Sequence, residues 1–166
     1  MVYYTEYQSP MGQLLLTSDG EHLTGLGMDC SVPREAEKAD ALPVLQQTVC
    51  WLDAYFRGEN PPVTVPVAAS GSAFQQRVWQ RLREIPYGKA ITYGDIAREM
   101  EAQTGKRMSA QAVGGAVGSN PISILVPCHR VVGAGGKLTG YEWGLERKAW
   151  LLRHEKWEGV EKHDHQ

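Results

Sequence analysis

The feature that most constrains the fold is a change of pattern at the small, polar stretch Ala68-Ala69-Ser70-Gly71. Before it, short segments rich in strand-forming residues dominate, and after it apolar residues recur at helical spacing. At 166 residues the chain can form one ordinary domain or two small lobes. We predict an α/β (α+β) protein with an α/β lobe containing a β-sheet at 1–71, a mainly helical lobe at 72–157 and a tail at 158–166.

The first lobe is predicted to contain a small sheet and one helix. A turn at Asp19-Gly20 would join two of its strands. The predicted elements are strands at 2–7, 13–17, 22–28 and 63–67, a loop at 31–41 and a helix at 42–56. The strand at 63–67 contains a proline, which favours an edge position.

The second lobe is predicted to contain four helices and one buried strand. Ser72, Thr92 and Ser109 are each placed to cap a helix. The predicted elements are helices beginning near residues 74, 93, 110 and 145, a polar basic loop at 103–107, a strand at 122–126 and a turn at 133–136. That strand would lead directly into Pro127-Cys128-His129-Arg130.

The helix after Ser109 has an unusual composition, because alanine and glycine dominate residues 110–118. A glycine inside a helix costs up to about 1 kcal/mol relative to alanine. Small residues allow close backbone approach in return. Two interpretations are open: tight packing inside the core, or docking against a flat or grooved partner.

The formal net charge of −2 conceals an asymmetry between the two lobes. Residues 1–71 carry 3 Lys/Arg and 9 Asp/Glu, a net charge of −6, whereas residues 72–157 carry 13 Lys/Arg and 7 Asp/Glu, a net charge of +6. A polyanionic partner for the second lobe would explain this difference. Two solvated surfaces that merely differ would explain it equally well.

The three cysteines, Cys30, Cys50 and Cys128, show neither a Cys-x-x-Cys pair nor a zinc-site spacing. The N-terminal segment has no pattern of a secretory signal, and no apolar run approaches the ~18 residues of a membrane span. We therefore expect a cytoplasmic protein with no disulfide framework, no metal site and no membrane association. Cys50 fits an apolar helical pattern and is predicted to be a core residue. The tail residues His163, Asp164 and His165 could bind a metal adventitiously, although a frayed terminus is the simpler interpretation.

Cys128 is the candidate nucleophile, because it is followed directly by His129 and Arg130. The thiolate is the reactive form of cysteine, and neighbouring cations or an imidazole favour it. Adjacent residues of a strand point to opposite faces, so contact between Cys128 and His129 would require a turn. A Cys-His dipeptide alone is weak support for catalysis.

Cys128 lies within the long motif Asn120-Pro-Ile-Ser-Ile-Leu-Val-Pro-Cys-His-Arg-Val131. Further motifs lie before and after it: Ser9-Pro10-x-Gly12, Phe74-Gln75-x-x-Val78-Trp79, Ile85-Pro86-x-Gly88, Tyr93-Gly94-x-Ile96-Ala97, Leu138-Thr-Gly-Tyr141, Arg147-Lys148 and Leu151-Leu152-x-His154-Glu155. These motifs and their order resemble the O6-alkylguanine-DNA alkyltransferases, and the motif around Cys128 is the most specific of them. The resemblance is strong over residues 72–155 and weak in the acidic first lobe.

The resemblance implies a DNA repair protein of which each molecule reacts with one lesion and is then inactive. Such proteins bind the minor groove of double-stranded DNA through a helix-turn-helix and flip an O6-alkylguanine out of the duplex. They then transfer its alkyl group irreversibly to a cysteine. For this chain the resemblance implies a monomer without a cofactor, with activity on O4-alkylthymine an open question.

The resemblance also assigns roles to individual residues. Cys128 would accept the alkyl group, His129 would deprotonate it through a water, Glu155 would orient His129, and Tyr93 would donate a proton to the leaving guanine. Asn120 would fix the turn before Cys128, Lys148 would steady the loop that carries it, and Val131 and Tyr141 would line the base pocket. Contacts to substrate or DNA are further expected of Ser109, Gln111, Ala112, Gly115, Arg130, Glu142 and Trp143. Taken singly, Tyr93, Asn120 and Lys148 would more simply be capping, turn or surface residues.

Two positions depart from the family pattern. Gln111 stands where the family usually has an arginine that fills the space of the flipped nucleotide, and the loop before it is longer and carries Lys106 and Arg107. We hypothesise that one of these cations compensates, or that flipping is weaker. Trp143 and Glu142 follow the pocket tyrosine where small residues are usual. Trp143 is predicted to narrow the pocket in favour of methyl over benzyl groups, with outward stacking on a base as the alternative.

Other functional classes remain open at this point. A Cys-His thiol hydrolase or redox protein would turn over repeatedly or oxidise reversibly. A lesion-binding relative without catalysis would replace the cysteine, which is present here as Cys128. A damage sensor would usually carry an additional domain.

Overall fold

A computed structural model describes residues 1–159 and divides the chain into two compact units. One unit comprises residues 1–70 and 121–125, and the other comprises residues 71–120 and 126–159. Residues 121–125, which the sequence places in the helical lobe, thus belong to the first unit. The possible tail ligands His163, Asp164 and His165 lie outside the described residues.

The first unit is a four-stranded sheet covered by one helix. The strands are β1 (Tyr3–Ser9), β2 (Gly12–Ser18), β3 (Leu23–Met28) and β4 (Glu37–Lys38), in the order β3-β2-β1-β4. The pairs β1–β2 and β2–β3 are antiparallel, and β1–β4 is parallel. The helix α1 (Pro43–Phe56) contacts β1, β2 and β3 and buries Leu45, Leu52 and Tyr55.

The β1–β2 hairpin shows why the Ser9-Pro10-x-Gly12 motif turns. Ser9 Oγ accepts a hydrogen bond from Met11 N–H and donates one to the Gly12 carbonyl. Gly12 has a φ of +129°, a backbone conformation that residues other than glycine rarely adopt. Period-two burial along β2, with Leu14 and Leu16 in the core, then fixes the register.

The second unit is mainly helical. Its helices are α2 (Ala73–Leu82), α3 (Tyr93–Thr104), α4 (Ala110–Gly118) and α5 (Leu145–His154), and a small parallel sheet pairs β5 (Ile91–Thr92) with β6 (Val131–Val132). The predicted α/β class, with a sheet lobe and a helical lobe, is confirmed. None of the helices among residues 1–159 is long and apolar enough to cross a membrane.

The helix starts in this unit follow the predicted caps. The side chains of Ser72, Thr92 and Ser109 each accept a hydrogen bond from the backbone N–H three residues later. The capping boxes of Ser72 and Thr92 are completed by Gln75 and Asp95. Helices α3 and α4, joined by residues 105–109, form the predicted helix-turn-helix.

Several predicted elements are absent or different. Residues 122–126 do not form a strand: Ile122 makes one isolated bridge to Leu26, residues 123–125 form a turn, and Ile124 has a φ of +71°. Residues 63–67 contribute only an isolated bridge from Val67 to Leu23. Within the predicted loop at 31–41, residues 37–38 form β4 because Glu37 N–H bonds to the Val2 carbonyl. Cys50, predicted to be buried, is exposed.

Candidate active site

The centre of the candidate site is a single turn of 3-10 helix, Cys128–Arg130, that follows Pro127. All three of its side chains are buried, and the Cys128 residue is 3% exposed. The chain therefore turns at Cys128, where the sequence predicts the end of a strand. Contact between the Cys128 and His129 side chains would require such a turn. The preceding segment is held by Asn120, whose Nδ2 donates to the Val126 carbonyl at 2.8 Å.

Cys128 opens onto a cavity of about 600 Å³ within the second unit. The cavity is bounded by one face of α4, by Tyr93 at the start of α3 and by the loop after residue 138. Its lining residues are Tyr93, Ala110, Gln111, Gly114, Val117, Gly118, Cys128, Thr139, Gly140, Tyr141 and Glu142. A cavity of this size accommodates a purine base.

Behind the cysteine lies a buried hydrogen-bonded pair. His129 Nε2 and Glu155 Oε2 are 2.6 Å apart, and both side chains are completely buried. Complete burial lowers the pKa of His129, and the positive charges of Arg130 and Lys148 lower it further, against the opposing effect of Glu155. The imidazole is therefore neutral at pH 7, with its proton on the Nε2 that donates to Glu155.

Glu155 also binds Arg130 in a two-pronged ion pair. Arg130 Nε donates to Oε1 at 2.8 Å and Nη2 donates to Oε2 at 3.1 Å, while Nη1 donates to the Ile85 carbonyl at 2.6 Å. Burial by itself raises the pKa of Glu155, but its interactions with His129 and Arg130 hold that pKa well below the usual range. The carboxylate is therefore ionised and fixes the orientation of the imidazole.

Arg130 is predicted to contact substrate or DNA, but the structure places its side chain inside the protein. The residue is only 9% exposed, and its guanidinium donates to Glu155 and to the Ile85 carbonyl. Sequence reasoning missed this pairing because the partner lies 25 positions further along the chain. The local sequence Cys128-His129-Arg130 does not indicate that the arginine is buried.

The second nitrogen of the imidazole has a different environment. His129 Nδ1 is buried and makes no hydrogen bond to any described residue. In the neutral tautomer fixed by Glu155, Nδ1 carries the lone pair and can accept a proton. A buried acceptor without a partner is costly, which favours a functional use of this atom.

Two further side chains, Tyr93 and Lys148, interact electrostatically with Cys128. Tyr93 Oη donates to the Thr139 carbonyl at 3.3 Å, and burial raises its pKa, as does a thiolate at Cys128. Lys148 is completely buried, and burial lowers its pKa to about 8, whereas a thiolate at Cys128 acts in the opposite direction. Both groups are thus close enough to interact electrostatically with that thiolate.

Lys148 steadies a different loop from the one expected. Its Nζ donates to the carbonyls of Thr139 at 2.9 Å and Gly140 at 3.3 Å, and it lies 5.7 Å from the centre of the Tyr93 ring. The lysine therefore ties the loop that forms one wall of the cavity to α5. Its positive charge also interacts electrostatically with a thiolate at Cys128.

Tyr141, predicted to line the base pocket, lies in the wall of the cavity together with Glu142, whereas Val131 and Trp143 do not. Val131 is fully buried and pairs with Ile91 in the small sheet. Trp143 is 6% exposed and lies behind Tyr141, with 5.9 Å between the ring centres. Trp143 thus neither lines the cavity nor stacks outward, but packs beside Tyr141, which does line it. Burial raises the pKa of Glu142 at the cavity wall.

The helix α4 presents three faces. Val113, Ala116 and Val117 enter the core, and Trp79 Nε1 donates to the Ala116 carbonyl at 2.8 Å. Gln111, on the face towards the cavity, is exposed at its edge. Ala112 and Gly115 are exposed on the remaining face.

Gly115 lies on the exposed face of the small-residue helix. A Cβ built at this residue would meet no atom within 4 Å. Packing within the described protein therefore does not require glycine at this position, although glycine costs helix stability.

Comparisons with known proteins agree with this geometry. Residues 73–157 match the family model described as 6-O-methylguanine DNA methyltransferase, DNA binding domain, and residues 2–69 match that family's ribonuclease-like domain. This chain belongs to the 6-O-methylguanine DNA methyltransferase family. The resemblance stated from the motifs is thereby confirmed.

Relatives in this family are similar over nearly the whole chain. The methylated-DNA–protein-cysteine methyltransferase of Haemophilus influenzae is 45% identical over 93% of this chain and 87% of its own length. The protein of the same name from Methanosarcina acetivorans is 41% identical, over 93% of this chain and 98% of its own length.

Solved structures extend the similarity to the fold. The crystal structure of the Mycobacterium tuberculosis O6-methylguanine methyltransferase matches with a TM-score of 0.81 and 43% identity, covering 94% of this chain and 93% of that chain. A crystal structure of the M. tuberculosis OGT in complex with DNA matches with the same TM-score, at 43% identity over 93% of this chain and 92% of that chain.

Proposed function

We propose that this chain repairs O6-alkylguanine in DNA by moving the alkyl group, typically methyl, irreversibly to Cys128. The observation that carries this proposal is the placement of one thiol on the wall of a base-sized cavity, directly before a buried His129–Glu155 pair. In the reaction, Cys128 Sγ forms a bond to the alkyl carbon as the bond from that carbon to guanine O6 breaks. The products are S-alkylcysteine and unmodified guanine.

The buried pair supplies the route for the thiol proton. His129 Nδ1 holds a lone pair and no hydrogen bond to a described residue, so it can take the proton of Cys128 through a bridging water. Glu155 is ionised by its interactions with His129 and Arg130 and stabilises the imidazolium that forms. Lys148, with its positive charge, favours the thiolate electrostatically.

Tyr93 completes the proton balance on the other side of the reaction. Its hydroxyl lies at the cavity wall, and its pKa is raised by burial, so it remains protonated at neutral pH. From there it can donate a proton to the guanine as negative charge develops on the leaving base. The proton lost from Cys128 and the proton gained by guanine therefore follow separate paths, and return of the imidazolium proton of His129 to the Tyr93 oxygen through solvent closes the balance.

Helix α4 is the surface that we assign to the minor groove of the duplex. Ala112 and Gly115 are exposed, and the glycine has no packing role within the described protein. Ser109 caps the same helix and places its N-terminus at this surface. Gln111, between this surface and the cavity, is positioned to contact the duplex where the base leaves the stack.

The division of labour follows the two units. Every group assigned above to chemistry or DNA contact lies within residues 72–157, the predicted DNA-binding and alkyl-transfer domain, so residues 1–71 act as its support domain. Since one chain contains the complete set, we propose that it acts as a monomer, and we place it in the cytoplasm as expected from its sequence.

The stoichiometry of repair tests this function against a thiol hydrolase or redox protein. Limiting protein is incubated with excess duplex that contains one O6-methylguanine, and repaired duplex is counted. We expect at most one lesion repaired per chain, no further repair with time, and no repair by Cys128→Ala. Repeated turnover, or repair by the alanine variant, would overturn the proposal.

A further inference from the structure

A second groove in the helical unit has no role in the chemistry described above. It encloses about 510 Å³ between α2, α3 and the turn that joins α3 to α4. Phe74, Met100 and Met108 contribute its apolar surface, and Arg77 and Lys106 contribute its positive charge. None of its lining residues belongs to the lining of the Cys128 cavity.

The turn beside this groove is held in place by local hydrogen bonds. Gly105 ends α3 in the left-handed conformation, with a φ of +71°. Thr104 Oγ1 accepts from Lys106 N–H at 3.2 Å, and Glu101 Oε1 accepts from Met108 N–H at 2.6 Å. The backbone that carries Lys106 and Arg107 is therefore anchored at both ends.

Three cations on this surface have no acidic partner. Arg77, Lys106 and Arg107 are exposed, and within residues 1–159 none of them forms an ion pair. Elsewhere on the same helices Arg81 pairs with Glu99 at 2.6 Å, and Arg98 pairs with Asp95. The unpaired cations can therefore interact with an external anion at no cost in internal ion pairs.

We propose that Arg77, Lys106 and Arg107 bind backbone phosphates of the duplex beside the lesion and extend the DNA contact beyond α4. This inference rests on the proposed function. DNA is the occupant that the position favours, because the turn ends at Ser109, the cap of the helix assigned to the duplex. In helix-turn-helix proteins the helix ahead of the recognition helix, here α3, crosses the backbone. Lys106 and Arg107 lie in the turn that follows α3, and Arg77 of α2 lines the same groove as Lys106. Duplex DNA offers about one charge per 1.7 Å of its axis.

The position of Lys106 bears on the hypothesis that a cation of the longer loop compensates for the missing arginine at position 111. Lys106 lines the second groove, whereas Gln111 lines the Cys128 cavity. Lys106 is thus not placed to fill the space of a flipped nucleotide. The cations of this surface supply affinity through phosphates, and Gln111 lies at the edge of the Cys128 cavity.

The test is the salt dependence of binding to duplex DNA that contains O6-methylguanine. Arg77→Gln, Lys106→Gln and Arg107→Gln are compared singly and together with the wild-type chain. Removing one phosphate interaction should reduce the slope of log K against log salt by about 0.9, so the triple variant should show a slope smaller by roughly two to three. Arg34→Gln, which removes an exposed charge of the first unit, is the matched control and should leave the slope unchanged.

A second measurement separates this surface from the chemistry. At low salt and saturating duplex, the triple variant should methylate itself at the wild-type rate, with only the half-saturating concentration raised. A wild-type slope in the triple variant, or weaker binding with an unchanged slope, would overturn the inference and leave an acidic protein segment as the groove's occupant. Failure of the wild-type chain to take up a methyl group would instead overturn the proposed function.

Discussion

His129 and Glu155 form a completely buried pair, with 2.6 Å between Nε2 and Oε2. The same carboxylate binds Arg130 through both oxygens. A cation, an anion and a neutral imidazole thus share one small buried volume directly behind the reactive thiol. This network fixes which nitrogen of His129 faces away from Glu155 and can serve as a base.

Glu155→Gln tests the network, because glutamine keeps the shape and removes the charge. The buried Arg130 then lacks a counter-ion, and we expect the free energy of unfolding to fall by about 3–5 kcal/mol. The rate of self-methylation should fall as well. Urea unfolding and single-turnover kinetics measure the two effects. Glu146→Gln, an exposed change in the first turn of α5, is the control; equal stability of the two variants would contradict the network.

Lys148→Met tests the cost of burying a charge. Burial lowers the pKa of Lys148 from 10.5 to about 8. Between pH 8 and 10.5 the unfolded chain binds more protons at this residue than the folded chain. This residue therefore makes the free energy of unfolding increase as the pH rises through that range. That contribution reaches about 3 kcal/mol and should be absent in Lys148→Met.

Urea unfolding of the wild-type chain and of Lys148→Met from pH 7.5 to 10 measures this difference. Lys137→Met, at an exposed position, should follow the wild-type curve. A pH-independent difference between wild type and Lys148→Met would show that burial does not perturb this lysine. Self-methylation near neutral pH should be slower in Lys148→Met, because the thiolate loses its neighbouring cation.

Gly115→Ala separates helix stability from DNA binding. The added methyl group meets no protein atom within 4 Å, so the helix should gain the propensity difference, about 0.5–1 kcal/mol of unfolding free energy. Binding to duplex DNA should weaken because the backbone can no longer approach as closely. Thermal unfolding and a binding titration measure both, and methyl uptake from free O6-methylguanine should not change. Unchanged DNA affinity would remove α4 from the interface.

Gln111→Arg restores the charge that the family usually has at this position. Since Gln111 is exposed at the edge of the Cys128 cavity, the arginine should tighten binding to alkylated duplex DNA. Gln46→Arg adds the same charge at an exposed position of α1 in the first unit and serves as the control. If Gln111→Arg changes neither affinity nor transfer rate, Gln111 does not occupy the flipping position.

The parts of the fold that the sequence predicts depend on local chemistry. The caps at Ser72 and Thr92 are local signals, and both helices begin where those residues predict. The prediction of a strand at 122–126 was wrong because an apolar run indicates burial and not backbone conformation. Buried residues Ile122 and Ile124 satisfy that pattern in a turn held by one bridge to Leu26.

The candidate site divides in the same way. Cys128, His129, Tyr93 and Glu155 follow from motifs that the family resemblance assigns. The burial of Arg130 and the position of Trp143 behind Tyr141 depend on tertiary contacts that no local pattern encodes. Likewise, β4 exists only because residue 37 meets the start of β1.

The central claim is that Cys128 is the acceptor of the alkyl group. Intact mass spectrometry after incubation with O6-methylguanine DNA, followed by peptide mapping, tests it most directly. We predict that each chain gains the mass of one methyl group in place of a hydrogen, located on Cys128, and that Cys128→Ala gains none. No gain in mass, or a methyl group on Cys30 or Cys50, would contradict the claim.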